Sequence, residues 1–111
     1  MENKVFSFLG LAQRSGNLVT GEDTCKYHIK KNDIELVVVA EDASDHTKKK
    51  FSDMSNHRNI KFIIYGKREN LSHAVGKVNR TVYGIKDERI ANKIFFLMNQ
   101  DKDGPNNLGG E

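Results

Sequence analysis

A chain of 111 residues is long enough for one hydrophobic core and too short for two, so a single domain is expected over residues 1–100. A composition of 37% hydrophobic and 30% charged residues argues against a disordered chain, and no apolar run approaches the roughly 20 residues that span a bilayer. The formal charge is +3, but Asp101, Lys102, Asp103 and Glu111 together carry −2, which leaves a body of +5 that is mildly disposed toward polyanions.

In chain order, Val5, Phe8, Leu9 and Ala12 recur at helical spacing and predict an amphipathic helix over residues 4–14, stopped by Ser15 and Gly16. The stretch "LVTGEDTCKYHIKKND" reads as a second helix starting near Gly21. Thr20 and Asp23 form a variant capping box, Cys25 and Ile29 share the buried side, and Asn32 offers a left-handed stop. "IELVVVAED" is apolar at consecutive positions and β-branched, as a central strand covered on both faces should be. Ser44 to Arg58 predicts a solvated helix whose narrow apolar seam contains Phe51 and Met54.

Lys61 to Tyr65 gives the next strand, ended by Gly66, and Leu71, Ala74 and Val75 mark a short helix closed by Gly76. Thr81 to Ile85 is the third expected strand. Asp87 then caps a last helix with Ile90, Ala91, Ile94, Phe95, Leu97 and Met98 on its apolar face. This alternation predicts an α/β fold, a three-layer α/β/α sandwich around a small central mixed sheet. Residues 101–111, with the only proline and three glycines, read as a disordered tail.

Candidate chemistry is sparse. The sole cysteine, Cys25, excludes an intramolecular disulfide and paired-cysteine zinc patterns, and the four histidines sit in different elements without ligand spacing. Cys25-x-x-His28 has nucleophile and base types on one helix turn, but Cys25 belongs to the apparent buried seam. Phosphate-binding glycine loops and the nucleophile elbow are absent, and the acidic pair Glu41 and Asp42 after the central strand also describes a solvated loop. No enzyme, cofactor or metal is expected.

The helix start is more informative. Gly21 allows close backbone approach, first-turn amides can receive a phosphate, and Lys26, Lys30 and Lys31 can neutralise its neighbours. The same residues also describe a capped surface helix with a lysine face.

Three segments in combination, "LGLAQRSGNLVTGEDTCKYHIKKNDIELVVVAEDASDHTKKK", "NIKFIIYGKRENLSHAVGK" and "NRTVYGIKDERIANKI", resemble the ribosomal protein L7Ae/L30e family, most closely its bacterial YlxQ-like members. The resemblance runs from about residue 5 to residue 98. Its most specific parts are "LGLAQRSG…VTGE", "AEDAS" after the strand, and Leu71-x-x-Ala74-x-Gly76-Lys77. The resemblance implies an α/β/α sandwich that binds structured RNA, especially kink-turns, where a bulge bends the helix beside tandem sheared G·A pairs. It places Gly21 to Lys31 at those pairs and Lys77 to Thr81 over the bulged nucleotides.

The site residues implied are Gly21, Glu22, Asp23, Thr24, Tyr27, Lys31, Lys77, Val78, Asn79 and Arg80. Three depart from the family's strongest binders, because Asp23, Thr24 and Tyr27 occupy its asparagine, glutamate and lysine positions. An aspartate accepts but cannot donate as an amide does, and threonine has a shorter reach than glutamate. The resulting expectation is a cytoplasmic, monomeric, non-enzymatic protein that binds a bent or internally looped RNA, with ribosomal RNA and ribosomal or RNA-processing proteins as partners. A protein-interaction module of the translation machinery with reduced kink-turn specificity is the alternative.

Overall fold

The computed structural model describes residues 3–103. Asn3 caps the first helix, α1 (Lys4–Arg14), by accepting from the Val5 amide at 2.7 Å. A short strand, β1 (Leu18–Thr20), leads through Gly21 into α2 (Glu22–Lys30). The chain continues as β2 (Leu36–Val39), α3 (Asp45–His57), β3 (Lys61–Ile64), α4 (Arg68–Ala74), β4 (Val82–Ile85) and α5 (Glu88–Asp103).

The strands form one mixed sheet in the order β1-β4-β2-β3, with β2 and β3 parallel and the other pairs antiparallel. β2 is therefore interior, and all four of its residues are buried. Leu36 and Val38 point into a core with α1, α4 and α5, through Leu9, Leu71 and Ile94 among others. Val37 and Val39 point to the opposite side, where Cys25 and Ile29 of α2 and Phe51 of α3 complete a smaller core. The period-two alternation of a strand thus divides one apolar run between two helix layers, and the α/β/α sandwich follows.

Three sequence expectations change. The sheet has four strands where three were expected, because the three residues of β1 are too few for alternation to identify them. Thr20 is also the last residue of β1 and does not cap α2; the N-cap is Gly21, which has no side chain to offer. Ser44 and Asp87 do cap, accepting from the Thr47 and Ile90 amides. Asn32 ends α2 with φ 62°. Helix α5 continues through Asp101 to Asp103, and Asp101 accepts a hydrogen bond from the Tyr65 hydroxyl. Residues 104–111, the rest of the expected tail, lie outside the described residues. Among the described residues no helix is long and apolar enough to cross a membrane.

Candidate nucleic-acid interface

The site begins at the junction of β1 and α2. Gly21 has φ 99° and ψ 150°, a conformation open in practice only to glycine. Its amide donates to the Val82 carbonyl at 2.9 Å, so the chain leaves the sheet edge and turns into a helix within one residue. No side chain caps α2, which leaves the first-turn amides open to an anion or a water.

Glu22 is drawn away from this opening toward α3. Its carboxylate accepts from Lys50 Nζ at 2.9 Å and from the Thr47 hydroxyl at 2.9 Å. The Lys50 hydrogen bond lowers its pKa, against a smaller desolvation, and Thr47 adds to the lowering. Glu22 therefore anchors the helix start. Asp23 and Thr24 are exposed on the same first turn. One turn further, Tyr27 is 59% exposed and Lys31 Nζ lies 5.1 Å from its ring centroid, an arrangement that leaves an aromatic ring and a cation together at the surface.

The second half of the site is the turn after α4. Asn79 adopts φ 57°, and Val78 at its tip is 83% exposed. The turn is held from beneath by Ser72, which is 2% exposed. The Arg80 amide donates to Ser72 Oγ at 2.8 Å, Ser72 and Tyr83 share a hydroxyl hydrogen bond of 2.9 Å, and the Tyr83 hydroxyl donates to the Arg80 carbonyl at 2.7 Å. Desolvation raises the Tyr83 pKa, which keeps this hydroxyl protonated and able to donate. Arg80 Nη1 then reaches across to Thr20 Oγ1 at 2.7 Å, and a Cβ at position 21 would lie 3.9 Å from that nitrogen.

A third loop locks the turn from its other side. The Arg68 guanidinium donates to the Asp42 carboxylate at 3.4 Å, to the Asp42 carbonyl at 2.6 Å and to Asn79 Oδ1 at 3.1 Å. Asp42 also accepts from the Arg68 amide at 2.9 Å, the first cause of its lowered pKa. Glu41 accepts from the Gly66 amide at 3.2 Å. The acidic pair after β2 is thus engaged in holding loops together.

Charge is distributed unevenly over these lysines and arginines. Lys49, Lys50, Lys67 and Arg68 each face a carboxylate within 4.0 Å. Among the described residues, Lys31, Lys77 and Arg80 form no ion pair of that kind. Of these three, Lys77 and Arg80 lie on the turn and Lys31 at the far end of α2, and Lys26, Lys30 and Arg58 are among the other described cations outside any ion pair of that kind. Cys25 is fully buried, with its thiol 3.7 Å from the Val19 carbonyl, and burial pushes its pKa up to about 12. It is a neutral packing residue at neutral pH, and His28 pairs instead with Asp33 at 3.0 Å.

The sequence-derived residues fall into two groups. Gly21, Asp23 and Thr24 on the helix side and Arg80 on the turn side belong to adjoining segments, joined by the Arg80–Thr20 hydrogen bond. Tyr27 and Lys31 extend that surface along α2, Lys77, Val78 and Asn79 form the exposed turn, and Glu22 packs toward α3. Thr20, Arg68 and Ser72 were not anticipated. Their roles depend on partners 60, 26 and 8 residues away, so no local spacing carries them.

Comparison with known proteins gives a consistent result. The model of the ribosomal protein L7Ae/L30e/S12e/Gadd45 family matches residues 3–95. An RNA-binding protein YlxQ of Bacillus subtilis (strain 168) is 36% identical over 93 residues, covering 84% of this chain and 93% of its own. An RNA-binding protein YlxQ of Enterococcus faecium is 36% identical over 96 residues, covering 86% and 91%. Among solved structures, a protein of unknown function from Bacillus halodurans C is 37% identical with a TM-score of 0.85, covering 88% of this chain and 99% of its own. The Giardia lamblia 15.5kD RNA binding protein shares the fold at a TM-score of 0.73 with 14% identity, covering 92% and 91%. With the family model spanning nearly all of the sandwich and the relatives aligned along most of their length, the chain belongs to the ribosomal protein L7Ae/L30e/S12e/Gadd45 family.

Proposed function

We propose that this protein binds structured RNA of the kink-turn or internally looped kind, through the start of α2 and the turn at Lys77–Arg80. The observation that carries the reading is the juxtaposition of two segments 60 residues apart by the Arg80–Thr20 hydrogen bond, with uncompensated cations around it. A bent RNA presents deformed bases and converging phosphates together, and a two-part surface suits both. First-turn amides and Gly21 approach the backbone, while Lys31, Lys77 and Arg80 neutralise phosphates. Asp23 and Thr24 face the bases on one side, and Val78 and Asn79 do so on the other. The RNA-binding relatives support the reading.

The role is one of binding, without catalysis, in the cytoplasm and in a ribosomal or RNA-processing setting. Asp23, Thr24 and Tyr27 replace the residues that the strongest kink-turn binders use for G·A readout, so recognition here rests more on shape and phosphate position than on base identity. Binding of the purified protein to a kink-turn and to a plain duplex, measured across salt, tests the proposal. The kink-turn should be preferred, with a log–log salt slope of about −2 to −3 for three phosphate contacts. Lys31→Ala and Arg80→Ala should each weaken binding and flatten that slope. Equal affinity for both RNAs at physiological salt would defeat the structured-RNA reading and favour a protein-interaction module.

A further inference from the structure

Helices α2 and α3 cover the same face of the sheet but different strands, α2 over β1 and β4 and α3 over β2 and β3. They are bridged at both ends. At their starts Lys50 and Thr47 hold Glu22, and at their ends Arg58 Nη1 donates to the Lys30 carbonyl at 3.4 Å and to Asn32 Oδ1 at 2.9 Å. Beside the second bridge a recess of about 370 Å³ opens, lined by Ile29, Lys30, Asp53, Met54, His57 and Arg58. Its floor is apolar, because Ile29 and the partly buried Met54 belong to the smaller core. Its rim is basic.

The charges at the rim point to one class of occupant. Asp53, the one carboxylate lining the recess, pairs with Lys49 at 3.2 Å. Among the described residues, no carboxylate lies within ion-pair distance of Lys26, Lys30 or Arg58. A recess with an apolar floor and unmatched cations fits a molecule that joins a flat apolar group to an anion, as a nucleotide does. Continuity favours RNA over an acidic peptide: Lys30 lies on the same helix as Asp23, Thr24 and Tyr27 of the proposed interface, and the nine steps from Gly21 to Lys30 span roughly 13 Å. A single RNA can reach both places.

We infer that the α2–α3 recess is a second RNA contact, in which an unpaired nucleotide flanking the structured element lays its base on the partly buried Met54, above the buried Ile29, and its phosphate against Lys30 and Arg58. This inference rests on the structured-RNA reading above and extends it to a single-stranded flank. It gives the protein a way to select an RNA by what lies next to the bend.

The test compares one kink-turn RNA trimmed to its two stems with the same RNA carrying a short single-stranded extension at either end, using the full chain. The extended RNA should bind more tightly at one of the two ends. 4-Thiouridine in that extension should crosslink to the segments around Lys30 and Met54–Arg58. Lys30→Ala should remove the gain that the extension gives and reduce the salt slope on extended RNA, relative to trimmed RNA, by about 0.7, the value for one single-strand phosphate contact. Lys30→Arg should restore the gain. Equal wild-type affinity for trimmed and extended RNA would overturn the inference while leaving the kink-turn reading intact. Failure to prefer the trimmed kink-turn over a duplex would strike the earlier reading instead. Tighter binding of an acidic amphipathic peptide than of the extension at these same residues would assign the recess to a protein and also overturn the inference.

Discussion

Gly21 shows how one residue can meet a conformational demand that its surroundings do not impose by crowding. At φ 99° and ψ 150° the backbone passes from β1 into α2 through a region that side chains avoid, and the Arg80 guanidinium lies just beyond where a Cβ would sit. A methyl group there meets no collision, since 3.9 Å is ordinary van der Waals contact, so the penalty is backbone strain. Gly21→Ala should therefore cost about 1–3 kcal/mol of stability, read from urea denaturation. A cost near zero would mean that the junction relaxes easily. Thr20 carries the complementary lesson: its hydroxyl, which the sequence suggested as a helix cap, is instead the acceptor for Arg80.

At the level of elements, α2 is held through its first residue and presents the remainder of its exposed face to solvent. The Glu22 pKa is lowered chiefly by the Lys50 hydrogen bond, so the folded state binds the proton less readily than the unfolded chain. The stability contributed is complete above the ordinary value of 4.5 and is lost as pH falls through the lowered folded value. Glu22→Gln should remove this component of the acid dependence, checked by urea midpoints measured across that range; Glu22 is partly exposed, so the effect is modest.

The same helix permits a direct test of its departures from the family pattern. Asp23→Asn, Thr24→Glu and Tyr27→Lys together should raise affinity for a kink-turn over one whose G·A pairs are Watson–Crick pairs. Each restored base contact contributes ~1–3 kcal/mol if it behaves like a bidentate base contact, and the three are too close to be additive. Tyr27→Lys also removes the ring beside Lys31 and sets like charges one turn apart, which opposes part of the gain. A gain on both RNAs would indicate added charge alone.

Across the whole molecule, the α1, α4 and α5 layer forms the larger core, and the proposed contacts are shared between the α2 and α3 layer and the turn that follows α4. Helix α5 is tied to the sheet beyond its apolar face, because the Tyr65 hydroxyl donates to Asp101 and accepts from Asn3 Nδ2. Burial is the first cause that pushes the Tyr65 pKa up to about 12, and the Asp101 carboxylate reinforces it, so the hydroxyl remains a donor at any physiological pH. Asp101→Ala should destabilise the fold by about 1 kcal/mol, an ordinary hydrogen-bond contribution, without altering RNA affinity. A change in affinity with stability intact would show that α5 communicates with the opposite layer.

The sequence by itself determined the sandwich, because its evidence is periodic and local. The apolar run at Leu36–Val39 demands cover on both faces, the helical spacing of Ile90, Ala91, Ile94 and Met98 makes a broad buried face, and asparagine and glycine mark the turns. Family-specific segments also indicated which helix start and which turn to inspect. The tertiary structure alone decided how these are joined. β1 is too short to have a period, Thr20 finds its partner 60 residues away, and Arg68 binds Asp42 and Asn79 through loops with no spacing in common. Which lysines remain unmatched was equally hidden, since Lys50 and Lys31 look alike in sequence and only the fold sets Glu22 beside one of them. Backbone periodicity is written between neighbours, whereas hydrogen bonds and ion pairs across elements exist only once packing has brought distant residues together.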